Sequence, residues 1–432
     1  MKKRLIIIVP LVFLMVINGC STTEAVKSVK KKEPVTLKIA WWGEQPRHDS
    51  TVKVIELFEK KNPDIKIEYE YSSWDDYWKR LAPLAAANQL PDIVQMDLLY
   101  IKSYSQNNLL ADLTPYIKNN LIDTKLIDEK ILSGGLIGNK LYGFPLGMNA
   151  PVVIVDHHLF AEAGMSIPKE DWTWADFEKI ASEIHKGSAI YGTDGMKTPE
   201  VFFSYYLQSK GKSLYNPDGT SLGYADDQLF VDYFDMQLRL MDQGAFPRGD
   251  VTQQINGIVE EPLVNQHAAM AWTHSNQYYS FSQAAKRQLE ILPPPGPGQD
   301  SGLVVKPSQL FSITKGSTHK QEAARFINFF INNIDANMLL KGERGVPVSS
   351  KAASAVKRKL PKVQKKVFDY VTNVENQNGK IEKAYPLGAA VVVESLQDIS
   401  DQILFKKITP VEGAKIFRAE ANKILSKNKG DQ

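Results

Sequence analysis

The sequence predicts an α/β fold, because two kinds of hydrophobic periodicity alternate along its first part. A mostly apolar strand-like segment precedes a helical repeat, and a segment in which apolar and polar residues alternate follows it. A strand, helix, strand unit of this kind implies a parallel sheet. The 432-residue chain is long enough for two domains with cores of their own, and its 43% hydrophobic and 23% charged residues are ordinary for a globular protein.

The first predicted element is a buried strand from Val35 to Trp42, bounded by Pro34 and Gly43. The residues that follow, Glu44 to His48, are predicted to form a rigid loop at the carboxyl end of this strand. Ligands of open α/β sheets bind at that end, so the segment LKIAWWGEQPRH is the first candidate for a site.

Helical spacing of Val52, Ile55 and Phe58 predicts a helix that ends before Pro63. Strict alternation from Ile65 to Tyr71 then predicts a second strand. These two elements complete the opening strand, helix, strand unit.

The same signals predict the later elements. Ser73 and Asp76 form a capping pair for the next helix, and a third strand runs from Asp92 to Asp97. Further elements are a short strand with a crossing at Asn139–Asn149, a capped helix at Thr173, a helix through Val231, Phe234, Leu238 and Met241, a turn at Asn216–Gly219, a stiff linker at Pro293–Gly298, a strand at Gln309–Thr314, a helix through Ala324, Ile327, Ile331 and Ile334, a break at Gly342–Pro347, and helices through Val367, Val392 and Thr409.

The first residues predict a targeting segment, because a basic start is followed by an apolar run from Leu5 to Ile17 that is short for a bilayer span. Cys20 is the only cysteine, which excludes an intramolecular disulfide, and its setting resembles a bacterial lipobox, from which Asn18 departs. We therefore expect a signal peptide at residues 1–19, lipid modification of Cys20, and a polar anchor and tether at 20–33.

Removal of residues 1–19 takes away Lys2, Lys3 and Arg4 and leaves equal numbers of basic and acidic residues. A formally neutral protein lacks the basic excess that phosphate binding needs, so we expect no nucleic acid partner.

Catalytic patterns are sparse in this chain. Gly219–Gly223 matches the nucleophile-elbow pattern around Ser221, but no apolar strand precedes it. His157 and His158 are adjacent and lack neighbouring ligands, so no metal site is expected. A glycoside hydrolase or lyase is the alternative function, because acidic residues lie near the predicted strand edges. These residues are Glu44, Asp97, Glu260 and Glu261.

Tryptophans near turns are more informative, since a flat indole face packs on the C–H face of a sugar ring. Strand alternation allows only one of Trp41 and Trp42 to face a cleft. Trp174, just inside a helix start, is predicted to be a structural plug. Each tryptophan also has a core alternative, and the set is Trp41, Trp42, Trp74, Trp78, Trp172, Trp174 and Trp272.

Cationic and amide side chains at predicted strand ends could recognise a carboxylate or hydroxyls. Arg47 is placed for bidentate carboxylate binding, with a surface cation as the alternative, and Arg344 is a second candidate. We expect Arg47→Ala to weaken charged ligands more than neutral ones. Asn149 and Asn276 are hydroxyl partners or turn-stabilising residues.

The order of these segments resembles a known family. IAWWG, LPDIVQMD, LADLTPYI, KLYGFPLGMN, TWADF, HAAMAWTHSNQ, AARFINFFIN and GERGVPVS follow one another as in extracellular sugar-binding lipoproteins of ABC importers, the family 1 solute-binding proteins. The IAWWG-x-QPRH opening, WDDYW and GERGVPVS are most similar to lipoproteins proposed to bind rhamnogalacturonan oligosaccharides from pectin.

This resemblance implies a periplasmic-binding-protein-like fold of type II, with two discontinuous α/β lobes joined by a hinge. The first lobe would comprise 34–147 and 299–345, and the second 148–298 and 346–432. The protein would be a monomeric receptor that has no enzymatic activity and no cofactor. A lipid would anchor it to the extracellular face of the cell membrane of a Gram-positive bacterium. It would pass a uronate-containing oligosaccharide to the transmembrane subunits of a permease.

The resemblance also implies the ligand contacts. In relatives, bulky aromatic residues often stand where this chain has Met96 and Gly388–Ala390, which affects the number of stacked sugar rings. With the residues derived above, the predicted ligand-binding set is Trp41, Trp42, Gln45, Arg47, His48, Trp74, Trp78, Met96, Asp97, Asn149, Phe202, Tyr206, Trp272, Asn276, Arg344 and Tyr385.

Overall fold

The computed structural model describes residues 34–296, 303–378 and 380–430. The strands are β1 (Val35–Trp42), β2 (Ile65–Ser72), β3 (Ile93–Met96), β4 (Leu136–Ile137), β5 (Lys140–Leu141), β6 (Phe144–Pro145), β7 (Gly147–Asn149), β8 (Pro151–Asp156), β9 (Met270–His274), β10 (Leu289–Leu292), β11 (Lys306–Pro307), β12 (Leu310–Ile313) and β13 (Val346–Pro347).

The helices are α1 (Gln45–Lys61), α2 (Trp74–Ala86), α3 (Ile101–Gln106), α4 (Thr114–Lys118), α5 (Glu129–Leu132), α6 (His157–Glu162), α7 (Trp174–Ser188), α8 (Pro199–Ser209), α9 (Gln228–Asp242), α10 (Gly249–Thr252), α11 (Tyr278–Ala285), α12 (Lys320–Asn332), α13 (Ile334–Leu340), α14 (Ser350–Lys359), α15 (Lys362–Asn378), α16 (Ala389–Leu404) and α17 (Pro410–Leu425).

The first sheet has the strand order β2–β1–β3–β12–β6. β1 runs parallel to β2, with Val35 opposite Ile65 and Trp42 opposite Ser72, and it also runs parallel to β3. The predicted strand, helix, strand unit is therefore confirmed. β12 pairs antiparallel with β3 and β6, so the chain returns to this sheet as predicted, and the sheet is mixed instead of purely parallel.

A second sheet of order β10–β8–β9 is antiparallel throughout. A third, joining sheet has the order β11–β7–β13. β7 follows β6 of the first sheet and precedes β8 of the second, while β11 follows β10 and precedes β12. The chain thus passes from one sheet to the other at β7 and back at β11. The lobe bounds derived from the sequence stay a prediction.

The prediction of a loop at Glu44–His48 is wrong, because α1 begins at Gln45. Pro46 occupies the first turn, where its missing N–H costs nothing and its fixed φ favours a helix. The backbone N–H groups of Arg47 and His48 both donate to the carbonyl of Glu44, at 2.9 and 3.2 Å. Arg47 and His48 are therefore held on a helix and are both buried.

Capping signals in the sequence located helix starts accurately. Complete capping boxes join Thr173 to Asp176 and Thr409 to Glu412, and the Ser73 hydroxyl accepts from the Asp76 N–H. The helix predicted through Ile334 is interrupted, since α12 ends at Asn332 and a new helix starts after Asn333, whose side chain caps it.

The described part of the proline-rich segment is packed against helices and does not act as a free linker. The Trp172 indole donates to the Pro293 carbonyl at 2.8 Å, and the Tyr205 hydroxyl donates to the Pro294 and Pro295 carbonyls at 3.2 and 3.1 Å.

Pro297 and Gly298, the predicted signal peptide, Cys20 and the tether lie outside the described residues. Among the helices of residues 34–296, 303–378 and 380–430, none has both the length and the apolar character that crossing a membrane requires.

Candidate functional site

Aromatic side chains gather where three neighbouring strands of the first sheet end. β1 ends at Trp42, and the segments after β2 and β3 lead directly into α2 and α3. This carboxyl edge is where an α/β sheet is expected to bind ligands. The rings that meet here are called the first aromatic cluster, which comprises Trp42, Trp74, Tyr77, Trp78, Tyr100 and Tyr104.

The first aromatic cluster is open to solvent on one side. Trp42 meets Trp74 edge to face, with ring centroids 4.9 Å apart, and Trp78 stacks on Tyr100 at 3.9 Å. Trp74 is 37% exposed, whereas Trp42 is 6% exposed. The cluster therefore offers the indole of Trp74 as an accessible apolar face, supported from behind by Trp42.

Trp41 and Trp42 point to opposite faces of β1, as strand alternation requires. Trp41 is completely buried in the main core, and its indole N–H donates to Nδ1 of His48 at 3.1 Å. Trp42 lies in the smaller core around Tyr77 and belongs to the first aromatic cluster. Of these two predicted ligand contacts, the structure brings only Trp42 to the cluster.

Arg47 and His48 are engaged inside the protein. Nε of Arg47 donates to both carboxylate oxygens of Glu343, at 3.0 and 2.9 Å, and Nη1 donates to the Trp42 carbonyl at 3.3 Å. Burial, followed by the positive charges of Arg47 and Arg344, lowers the pKa of His48 to about 4. His48 is therefore neutral at neutral pH, and the carboxylate that Arg47 recognises belongs to the protein itself.

Arg344 is also internal, with 2% exposure. It donates to the Gln95 side chain and, at 3.0 Å, to the Thr51 hydroxyl. Its guanidinium lies over the rings of Phe311 and Phe330, 5.5 and 5.4 Å from their centroids. These contacts give Arg344 a structural role between the first sheet and α12.

Gln45 is exposed in the first turn of α1 and donates to the Asp49 carboxylate at 2.7 Å. Met96 is fully buried beside Trp42 in the smaller core. Neither side chain contacts the cavity described below.

Three acidic residues act electrostatically on one lysine near the first aromatic cluster. Asp97 follows β3, and its Oδ2 lies 3.5 Å from Nζ of Lys306 on β11. Burial lowers the pKa of Lys306, but Asp97, Glu382 and Glu200 together outweigh it and hold that pKa above its usual range. We call Asp97, Glu200, Lys306 and Glu382 the acidic centre.

Burial raises the pKa of two carboxyl groups of the acidic centre, Glu200 and Glu382. The Tyr385 hydroxyl donates to Oε1 of Glu382 at 2.6 Å, and Nζ of Lys306 lies 5.8 Å from the centroid of the Tyr385 ring. The positive charge of Lys306 is thus already balanced by protein groups.

Asn149 and Asn276 are brought together from β7 and the turn after β9. The Asn149 amide donates to Oδ1 of Asn276 at 2.9 Å, and the Asn276 amide reaches the Glu343 carbonyl at 3.5 Å. Both are buried. Oδ1 of Asn149 lacks a partner within the part of the chain that the structure describes, so it is available as an acceptor.

The predicted aromatic contacts beside the second sheet lie in the main core. Trp272, Phe202 and Tyr206 are 4%, 2% and 6% exposed, and Trp272 stacks on Trp174 with a centroid distance of 5.5 Å. The backbone N–H of Trp272 donates to both carboxylate oxygens of the buried Asp194, each at 3.1 Å. The arrangement supports the second sheet, and Trp174 packs there as the expected plug.

A cavity of about 340 Å³ opens beside the acidic centre. Its lining combines Lys102 of α3, Ser204 and Gln208 of α8, and residues of two further segments. The lining residues are Lys102, Ser204, Gln208, Ser213, Leu214, Tyr215, Asn216, Pro217, Asp218, Gly219, Glu382, Lys383, Ala384, Tyr385 and Pro386. Glu200, Ser204 and Gln208 are four residues apart, so they share one face of α8.

Of the predicted ligand-binding residues, Tyr385 is the one that lines this cavity. Its ring lies 5.8 Å from that of Tyr215. Its backbone N–H donates to the Leu98 carbonyl, and it packs against the smaller core that contains Leu98, Trp42 and Tyr77. The sequence interpretation did not identify Lys102, Asn216 or Glu382. The Asn216–Gly219 turn was correctly predicted, but its spatial position could not be read from its own residues.

One serine and two acidic residues that a catalytic interpretation could use are engaged in local contacts. Ser221 donates to its neighbour's carbonyl at 3.2 Å and follows a turn, which contradicts the elbow geometry. Glu260 caps backbone N–H groups, and Glu261 pairs with Lys197 at 2.8 Å. Among the described residues, no three His, Cys, Asp or Glu side chains converge as metal ligands would.

Comparison with known proteins identifies related sequences and folds. The family of bacterial extracellular solute-binding proteins matches residues 43–336. An ABC transporter extracellular-binding protein of Pyrococcus horikoshii is 26% identical over 344 residues, which cover 72% of this chain and 73% of that protein.

Two solved structures share the architecture. An extracellular solute-binding protein of family 1 from Alicyclobacillus acidocaldarius is 30% identical, with a TM-score of 0.67 and coverage of 91% of this chain and 99% of that one. A periplasmic oligogalacturonide-binding protein from Yersinia enterocolitica, in complex with saturated digalacturonic acid, is 24% identical, with a TM-score of 0.81 and the same coverage. These similarities confirm the predicted two-lobed, periplasmic-binding-protein-like fold.

Proposed function

Because the chain belongs to the bacterial extracellular solute-binding protein family, we propose that it captures a pectin-derived, uronate-containing oligosaccharide outside the cell and delivers it to an ABC permease. The observation that carries this proposal is the cavity of about 340 Å³ beside the acidic centre. Its size suits a short saccharide, since ligand pockets typically measure about 300–1,000 Å³.

The chemistry of the cavity wall supports a sugar ligand. Tyr215 and Tyr385 provide ring faces, and Ser204, Gln208 and Asn216 provide hydroxyl and amide groups that exchange hydrogen bonds with sugar hydroxyls. We propose that the first aromatic cluster, which packs in the same core as Tyr385, extends the apolar surface. The predicted contacts that fit this arrangement are Trp42, Trp74, Trp78, Asp97 and Tyr385.

A uronate carboxylate requires a cation that is free to bind it. Arg47, Arg344 and Lys306 are each engaged by protein groups. Lys102 is half-buried at the cavity and forms no ion pair with any residue that the structure describes, and Lys383 lines the same cavity in an exposed position. We therefore assign recognition of the carboxylate to Lys102, with assistance from Lys383. The oligogalacturonide-binding protein from Yersinia supports this ligand class.

The remaining parts of the proposal concern location and partners. Cys20, in its lipobox-like setting, would carry the lipid that holds a monomeric receptor on the outer face of the membrane of a Gram-positive bacterium. A rhamnogalacturonan fragment is the proposed natural ligand. The protein is proposed to act by binding and release, with no chemical change to the sugar.

The test is a binding panel on the purified protein, read by isothermal calorimetry, tryptophan fluorescence and melting temperature. Galacturonate–rhamnose disaccharide, digalacturonic acid, galactobiose and maltotriose form the panel. Tight binding of a uronate-containing sugar, with the sugar recovered unchanged by mass spectrometry, is the expected result. Absence of binding to both uronates would refute the pectin assignment, and release of cleavage products would refute the receptor assignment.

A further inference from the structure

The charge distribution around the cavity limits the charge of the ligand. We infer that the site accepts a saccharide with a single carboxylate, and that Glu382 excludes saccharides in which adjacent sugar rings both carry one. This inference rests on the proposed function and narrows its substrate class. It separates an alternating uronate and neutral sugar chain from a chain made only of uronates.

Glu382 occupies a fixed position at the junction of the cavity and the acidic centre. Its backbone N–H donates to the Val305 carbonyl at 2.9 Å, which places it beside Lys306 on β11. Its side chain accepts from the Tyr385 hydroxyl at 2.6 Å, and both residues line the cavity. Because hydrogen bonds hold both its backbone and its side chain, the Glu382 carboxylate stays in place when an anionic ligand approaches.

Lys306 does not offset this negative charge for a ligand. Asp97 lies 3.5 Å from its Nζ, and Glu200 and Glu382 also act on it electrostatically. Three carboxylates therefore share one ammonium group. A ligand carboxylate placed at this end would add a fourth negative charge to a partly desolvated group, where Coulomb repulsion is weakly screened.

The other lining charges are two lysines and two acidic residues, so each added ligand carboxylate is opposed by protein carboxylates. Lys102 and Lys383 face the same cavity as Asp218 and Glu382. Asp218 is further fixed by the Thr220 hydroxyl, which donates to its Oδ1 at 3.2 Å. One ligand carboxylate can pair with Lys102, a half-buried cation that has no competing ion pair. A second ligand carboxylate would be repelled by Asp218 or by the acidic centre.

The experiment compares three disaccharides by isothermal calorimetry: galactobiose with no carboxylate, galacturonate–rhamnose with one and digalacturonic acid with two. The protein should bind the single uronate at least about tenfold more tightly than digalacturonic acid. Glu382→Gln keeps an oxygen that can accept from Tyr385 but removes the charge, and it should bring the two affinities to within about threefold. Glu56→Gln, the same change on the exposed side of α1, should leave the ratio unaltered.

A second measurement does not depend on any variant. Added salt screens the repulsion, so the ratio between the two uronates should narrow as ionic strength rises. Tighter binding of digalacturonic acid than of the single uronate, or an affinity ratio that neither salt nor Glu382→Gln changes, would overturn the inference. If none of the three sugars binds, the result would instead contradict the proposed function, on which the inference depends.

Discussion

Arg47 and Glu343 form a buried ion pair, with Nε of Arg47 2.9 Å from Oε2 of Glu343, that joins the first turn of α1 to the segment between α13 and β13. The two residues are 7% and 4% exposed. Since the Asn276 amide reaches the Glu343 carbonyl, the pair also borders the joining sheet through β7. It therefore fixes the first sheet against the region where the chain passes between sheets.

The first prediction follows from this burial. Arg47→Ala should lower the free energy of unfolding by about 3–5 kcal/mol, because it leaves the Glu343 carboxylate buried and unpaired. Urea denaturation measures the loss. The double variant Arg47→Met and Glu343→Leu removes both charges and should recover most of it, so a double variant less stable than Arg47→Ala would contradict the argument. Neutral and charged sugars should lose affinity in parallel, unlike the expectation from sequence.

Lys102 provides the second prediction. Lys102→Met keeps the length of the side chain but removes its charge, and it should weaken binding of galacturonate–rhamnose by about 10- to 150-fold, the range for one charge-assisted hydrogen bond of about 1.5–3 kcal/mol. Affinity for galactobiose should change little. Calorimetry provides both values, with Lys53→Met, an exposed lysine of α1, as the matched control. Equal losses of affinity for the two sugars would show that Lys102 shapes the cavity but does not bind the ligand carboxylate.

The third prediction separates the tryptophans of β1 and α2. Trp41→Ala should destabilise the protein by about 3–5 kcal/mol, since the side chain is fully buried. Trp74→Ala, at a position 37% exposed, should cost about 1 kcal/mol or less but weaken sugar binding and reduce the ligand-dependent change in fluorescence. Thermal unfolding and fluorescence titration distinguish the two. If Trp74→Ala binds sugar with unchanged affinity, the first aromatic cluster is not part of the binding site.

Signals that act over a few residues were readable in the sequence. β1 has the predicted bounds, and the capping boxes at Thr173 and Thr409 depend on partners three residues away. The partner of Arg47, by contrast, is 296 positions away, and the same basic residue suits a ligand or a protein carboxylate equally well. The sequence therefore predicted bidentate carboxylate binding by Arg47 but assigned it to the ligand, whereas the carboxylate in the structure belongs to Glu343.

The cavity illustrates the same limit. Lys102, Asn216 and Glu382 come from three distant segments, and only the packing of α3, α8 and the chain before α16 brings them together. The residues next to each of them in sequence form no recognisable motif, so the sequence does not identify them as site residues. Tyr385 was predicted only because of a family resemblance.

Histidine burial provides the fourth prediction, which concerns stability. Burial is the main cause that lowers the pKa of His48 to about 4 and that of His274 to about 3, whereas an unfolded histidine titrates near about 6.5. The unfolded chain therefore takes up protons first, so their contribution to stability is complete above about pH 6.5 and is lost progressively as the pH falls toward about 4.

The measurement is the urea midpoint between about pH 7.5 and about pH 5. His48→Gln should show a smaller decrease in stability over this interval than the unsubstituted protein, although it is less stable at the upper end because the Trp41 contact is altered. His158→Gln, at an exposed histidine of α6, is the control and should follow the unsubstituted protein. An identical pH dependence in His48→Gln would contradict the assignment.

The fifth prediction concerns the pH dependence of ligand binding. Burial raises the pKa of Glu382, while Lys306 and the Tyr385 hydroxyl oppose that rise and Asp97 adds to it. A bound uronate places another negative charge nearby, which raises the same pKa further, so binding should be accompanied by uptake of part of a proton. By linkage, affinity for galacturonate–rhamnose should increase as the pH falls from about 8 to about 5, above the range where the sugar carboxyl titrates.

Proton uptake is measured directly by calorimetry in buffers with different ionisation enthalpies, where the slope of the observed heat gives the number of protons bound. The slope should be positive for galacturonate–rhamnose, close to zero for galactobiose, and smaller for the single uronate in Glu382→Gln. Because Glu200 also has a raised pKa and acts on the same lysine, Glu200→Gln should reduce the slope as well. A slope of zero or of opposite sign for the uronate would show that a carboxylate bound at Lys102 does not raise the pKa of Glu382, and it would contradict this prediction.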